Sequence, residues 1–249
     1  MSDEIVADYD IRSPASRTLL TVLGTLVTVA VLIGALIGVS LMMRSTKVSA
    51  SAIDLGNSGQ IVVNATSADI RVVEGGSDVV KVVSRVTSGI RKTDYQIGRK
   101  GDEIKIISSC QSLISPGCGV SLTLEVPKGL PVVVNTTTGN VSAVGISKGV
   151  LTVSSTSGDL SGSRLGVDEF SAESRSGDIK AVFADQPFAF KAISGSGDIT
   201  ATLPAGARTY DVRAKSKSGD VSSKIASDPK GAGFVVATSD SGDITLRSD

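Results

Sequence analysis

Histidine and tryptophan are absent from the 249 residues, and three tyrosines and five phenylalanines are the only aromatic residues. Without histidine there is no imidazole acid-base catalysis and no His-ligated metal site. Cysteine occurs only twice, at Cys110 and Cys118, too few thiols for a zinc site in a chain with no histidine. Charge of either sign is not in excess, since 25 Lys and Arg balance 25 Asp and Glu, so no nucleic-acid partner is indicated. Glycine, serine, valine and isoleucine are what is plentiful, and they crowd the second half.

From Leu19 to Met43 no charged residue occurs. A helix of that length crosses a hydrocarbon core about 30 Å thick with a slight tilt. A secretory signal peptide is the competing reading, with Ala50-Ser51-Ala52 as its small-residue cleavage site. Such peptides carry an apolar region of about 7–15 residues, shorter than this run, and Arg44 and Lys47 intervene. The flanking cations tie, Arg12 and Arg17 against Arg44 and Lys47. A Cys110–Cys118 disulfide, which requires an oxidising compartment, would place the C-terminal side outside the cytoplasm; two reduced thiols are the alternative. Within the span, Ala30, Gly34 and Gly38 share one helix face in a small-xxx-small pattern suited to helix pairing, although glycine is common in such helices anyway.

The expected organisation is a cytoplasmic tail at 1–18, a transmembrane helix at 19–43 and a polar linker at 44–52. An irregular β region with the Cys loop follows at 53–130, then a regular repeat at 131–249. The repeat is Ser-Gly-Asp, centred on Gly158, Gly177, Gly197, Gly219 and Gly242, at spacings of 19, 20, 22 and 23 residues. Gly139, followed by Asn140, is a further copy, and Ser67-Ala68-Asp69 is a seventh with alanine for glycine. Seven residues before the five SGD glycines stand Leu151, Phe170, Phe190, Val212 and Val235, and five before them Val153, Ala172, Ala192, Ala214 and Ala237. Apolar residues two apart predict strands with one buried face, and Leu160, Ile179, Ile199, Val221 and Ile244 start a second strand just after the corner.

Serines recur three residues before each of these glycines, at 155, 174, 194, 216 and 239, and one before, at 157, 176, 196, 218 and 241. In a parallel β-solenoid, with coils of about twenty residues stacked about 4.8 Å apart, each repeat position lies over its predecessor. The hydroxyls then form ladders, and glycine supplies the positive φ of a tight bend. The expected fold class is therefore all-β, a parallel solenoid behind one transmembrane helix, with the last SGD coil open at the end of the stack.

The single N-terminal helix, the segment VSLTLEVPKGLPVVVNTTTGNVSA and the repeated S-G-D-[IVL] together resemble the bacterial "putative adhesin" family, β-strand-repeat domains of unknown function. That resemblance covers most of residues 53–249 and implies a β-solenoid at the cell envelope, with no catalytic residue to carry over.

The aspartates Asp159, Asp178, Asp198, Asp220 and Asp243, with Asp69, form a candidate ladder. Stacked carboxylates repel unless compensated, which favours a calcium-stabilised solenoid; against it, calcium-binding nonapeptide repeats place their ligands at less than half this period. The simpler reading has each aspartate accept backbone N–H groups at a turn. A glycan-active β-helix enzyme would need converging carboxylates and aromatic platforms, whereas the five phenylalanines fall at positions suited to the core. Lys215, Lys217, Lys224 and Arg175 lie at outward positions, where they contact anionic wall polymer or simply discourage edge pairing. The expectation is a non-enzymatic envelope scaffold without cofactor, whose partners are the bilayer, a second copy, and an envelope protein or cell-wall polymer.

Overall fold

The computed structural model describes residues 14–42, 45–54, 59–88, 94–100, 103–109 and 119–249. It separates into a helical unit and a β unit. Helix α1, Pro14–Met42, starts on a proline, whose missing N–H is one that a helix N-terminus leaves unpaired in any case. Within it, Val22–Val39 is long and apolar enough to cross a membrane. The hydroxyls of Thr25 and Thr28 donate to Val22 O and Gly24 O, both at 2.8 Å, so they add no unpaired polar group to that stretch.

The β unit opens with β1 (Ser45–Asp54), β2 (Gln60–Ser67), β3 (Asp69–Glu74), β4 (Val79–Ser88), β5 (Asp94–Lys100), β6 (Glu103–Ser109) and β7 (Gly119–Val126). Six strand pairs follow, a longer strand leading through a corner into a shorter one: β8 (Val132–Thr138) with β9 (Val141–Val144), β10 (Val150–Ser157) with β11 (Leu160–Leu165), and β12 (Glu169–Ser176) with β13 (Ile179–Phe183). The others are β14 (Ala189–Ser196) with β15 (Ile199–Leu203), β16 (Tyr210–Ser218) with β17 (Val221–Ser223), and β18 (Gly233–Ser241) with β19 (Ile244–Ser248). The shorter strands belong to a ten-stranded sheet and the longer ones to a nine-stranded sheet, and the repeats pair in parallel.

The register observed is the one obtained by aligning the glycines. Leu151 lies opposite Phe170, Val153 opposite Ala172 and Ser155 opposite Ser174, and the next pair of strands repeats it with Phe190, Ala192 and Ser194. The inward residues form one core in which the rings of Phe170, Phe183 and Phe190 lie 5.5 to 6.2 Å apart. Between Gly162 and Leu165 the register shifts, and Arg164 at the bulge takes φ 52°.

Three expectations are corrected. Residues 45–52, read as linker, lie in β1, which pairs antiparallel with β4 along its whole length; its alternating small residues can cover an edge without needing a buried face of their own. The β region is not wholly parallel, because β1–β4, β4–β7 and β5–β6 are antiparallel.

The third correction concerns order. The last SGD repeat does not end the stack: β18 pairs with β14 on one side and β16 on the other, while β19 lies between β15 and β17. Composition explains the inversion. The inward positions of β19 are Ile244 and Leu246, both fully buried, whereas their counterparts in β17 are Val221, 44% exposed, and Ser223. The more apolar repeat takes the inner slot, and the outermost strand, β16, carries Arg213, Lys215 and Lys217, which suit an edge. Ser227 and Asp228 cover the start of that edge: Val212 N donates to Ser227 Oγ at 3.1 Å and Asp228 N to Tyr210 O at 2.8 Å. The other end repeats the device, with β2 between β6 and β8 and β3 between β7 and β9.

Tyr210, at the start of β16, is 3% exposed and donates its hydroxyl to Pro187 O at 3.0 Å. Burial pushes its phenol above the ordinary value of 10, although Arg208 nearby opposes the shift. A raised phenol pKa favours the neutral form in the folded state, so this contribution is intact below about pH 10 and lost as pH rises through the higher folded value. Tyr210→Phe should cost about 1 kcal/mol at neutral pH. Urea unfolding at alkaline pH should show the gap between parent and variant narrowing.

Candidate functional site

The six glycine corners are built alike. Gly139, Gly158, Gly177 and Gly242 have φ between 116° and 157°. A Cβ added at Gly158, Gly177, Gly197, Gly242 or Gly219 would lie 2.2 to 2.3 Å from the carbonyl oxygen of the glycine in the adjacent repeat, and one at Gly139 would lie 2.2 Å from Ala68 O. The glycines are thus required by close approach between repeats, including Gly197 and Gly219. Ala68 stands at the start of this series and accommodates its methyl group while 3% exposed.

The carboxylates are committed to the same stacking. Asp178 N donates to Asp159 Oδ1 at 3.0 Å, Asp198 N to Asp178 Oδ1 at 2.9 Å, and Asp243 N to Asp198 Oδ1 at 2.8 Å. Asp220 N then donates to Asp243 Oδ1 at 2.8 Å, in the inverted order. At the other end Asp159 N donates to Asn140 Oδ1 at 2.9 Å and Asn140 N to Asp69 Oδ1 at 3.0 Å. The expected turn role is therefore played between neighbouring repeats. No group of three metal-ligating side chains occurs among the described residues.

Asparagine already serves at position 140, because a side-chain carbonyl accepts the same N–H. Asp178→Asn should therefore change stability by less than about 0.5 kcal/mol, and Asp178→Ala should cost about 1 kcal/mol, both read from urea unfolding.

The inner serines Ser155, Ser174, Ser194 and Ser239 are buried. Ser194 Oγ donates to Gly177 O at 3.3 Å, Ser239 Oγ to Gly197 O at 3.2 Å and Ser216 Oγ to Gly242 O at 2.8 Å. These three hydroxyls donate to the glycine carbonyl of the adjacent repeat and so satisfy backbone groups at the bend. The outer serines Ser157, Ser176, Ser196, Ser218 and Ser241 are exposed. At the opposite corners, unmarked by any sequence period, Glu74 accepts from Ser147 N at 2.7 Å, Asp168 from Gly149 N at 3.1 Å and Gln186 from Arg208 N at 3.0 Å.

Cys110 and Cys118 lie outside the described residues. Ala30, Gly34 and Gly38 share a face of α1, and a Cβ on either glycine would meet nothing within 4 Å.

Two features of the nine-stranded sheet's outer face escaped the sequence reading. Phe188 and Phe234, expected in the core, are 49% and 52% exposed. They adjoin, with Phe234 N donating to Phe188 O at 3.0 Å, and the Arg208 guanidinium lies 3.6 Å from the centre of the Phe188 ring. Phe234 was legible: it neighbours the inward Val235, and the period of two turns it outward. Further along the strands a shallow open groove is lined by Ser154, Thr156, Glu173, Arg175, Gly195 and Asp240, among others. Lys217 Nζ pairs with Asp240 at 2.7 Å.

The Toastrack DUF4097 family matches residues 58–181 and again residues 121–247. The chain belongs to this family. The overlapping Toastrack matches cover all six glycine corners. A solved structure of a putative cell adhesion protein from Clostridium sporogenes is similar to this Toastrack chain in fold, with a TM-score of 0.50 at 10% identity over 82% of this chain and 100% of that one. A putative adhesin from Bacteroides fragilis gives a TM-score of 0.47 at 11% identity over 82% and 98%. No curated protein matches the chain.

Proposed function

We propose that this Toastrack chain is a non-enzymatic, membrane-anchored envelope protein that presents a rigid surface to a partner, as an adhesin or interaction scaffold. Helix α1 holds it in the bilayer as a single pass, with residues 1–18 in the cytoplasm. The β unit stands outside, and its repeats in residues 131–249 form a parallel β-solenoid with coils of about twenty residues, in accord with the sequence spacings of 19 to 23. One observation carries the reading. The repeated corners, where chemistry would first be sought, commit the carbonyls of Gly177, Gly197 and Gly242 and one oxygen of each of five aspartates to the neighbouring repeat. What a stack so fastened offers to a partner is its outer faces. The solved structure similar in fold, that of a putative cell adhesion protein, supports it. An anchor also suits β1 better than a cleaved leader does, because Ala50, Ser51 and Ala52 pair with Val83, Val82 and Lys81 in the edge strand of the sheet. The Cys110–Cys118 disulfide belongs to the same reading.

Labelling with a membrane-impermeant amine reagent tests the topology, since the lysines at 191, 215 and 230 are exposed. Intact cells should give label at these positions. Label that appears only after lysis would reverse the orientation.

A further inference from the structure

We infer that the outer face of the nine-stranded sheet, from Phe234 to the groove at Gly195, is a binding surface for a pyranose polymer; this rests on the proposed display function and names its ligand class. The aromatic site and the groove share one face, because β18 alternates Phe234 outward, Val235 inward and so on to Asp240 outward. Asp240 lies six positions beyond Phe234, about 20 Å of extended strand. The groove spans β10, β12, β14 and β18, neighbours in the sheet.

Sugar rings carry apolar C–H faces and hydroxyl edges side by side, and this face offers partners for both. Phe234, with Phe188 beside it, is a half-exposed aromatic surface in a chain with eight aromatic residues. Glu173 and Asp240 supply acceptors for hydroxyl groups, Arg175 supplies donors, and the hydroxyls of Ser154 and Thr156 supply both. At Gly195 no side chain stands between Arg175 and Asp240, and none can be added, since a Cβ would lie 2.5 Å from Arg175 O. A bilayer fits less well. Phe234 is flanked in register by Ala189 and Asp211, and the groove mixes charges, Glu173 and Asp240 with Arg175 and the Lys217 paired to Asp240, which makes no uniformly cationic platform for anionic headgroups. A second protein copy would need a contiguous apolar centre, whereas here the outward Val236 of β18 lies between Lys191 and Arg213.

The test applies the full chain, reconstituted in nanodiscs, to an array of bacterial surface polysaccharides and murein fragments, with phosphatidylglycerol vesicles in a parallel arm. Retention on at least one pyranose polymer is expected. Phe234→Ala and Arg175→Ala should each weaken it about tenfold or more with unchanged melting, and Lys180→Ala, on the outer face of the other sheet, should not. Absence of retention, retention indifferent to both variants, or vesicle binding that follows Phe234 and Arg175 instead would overturn the inference. Cleavage of a retained glycan would leave the surface standing and remove the non-enzymatic reading, so the two fail separately.

Discussion

Gly177→Ala is expected to lower the thermal midpoint of the β unit by about 6–12 °C, because the new methyl carbon would lie 2.2 Å from Gly158 O. That oxygen has little freedom to withdraw. It belongs to a corner whose own N–H donates to Ser176 O at 3.1 Å, and the following Leu160 N donates to Asp178 O at 2.9 Å. Relief therefore requires two repeats to separate along a hydrogen-bonded corner, at a cost of about 3 kcal/mol, the range of a poorly tolerated overpacking change. Alanine at 68 provides the contrast, since the same residue type is accommodated where the series of corners begins. The measurement is a thermal melt of the full chain in detergent by far-ultraviolet circular dichroism. A variant that melts with the parent would mean that the repeats are not packed corner on corner.

Deleting residues 233–249 should unfold a segment that the deletion does not touch. The sheet partner of β16 is β18 and that of β17 is β19, so residues 210–223 lose their ladders together with the deleted repeat. Val235, Ile244 and Leu246 are fully buried, and their removal alone forfeits of order 5 kcal/mol of apolar burial. Hydrogen exchange should show residues 210–223 exchanging as an unfolded chain while residues 132–176 keep their protection. If the repeats stacked in chain order, residues 210–223 would stay paired to β14 and β15 and remain protected.

The corner itself was largely legible. Period and parity placed Leu151, Phe170 and Phe190 in the core, identified the glycines as corners and gave the registers of β10, β12 and β14, since in parallel stacking equivalent positions must overlie one another. Phe234 was assigned to the core on residue type alone, although parity with the inward Val235 turns it outward. The aspartates were readable as acceptors of backbone N–H groups, but not as acceptors from the next repeat, because a local turn and an inter-repeat bond leave the same Asp in the same place. Glu74, Asp168 and Gln186 gave no signal, as each clasps a loop whose length differs from repeat to repeat.

The sequence by itself determined the helix, the strand pair of each repeat, the inward residues and the glycine corners, all of which follow from period and from the steric needs of a single repeat. Only the tertiary structure decided the order of the repeats. Successive copies carry nearly the same pattern, so local preference cannot rank their neighbours. The choice is made by which repeat leaves less apolar surface in water, and that sets Ile244 and Leu246 inside and Val221 and Ser223 at the end.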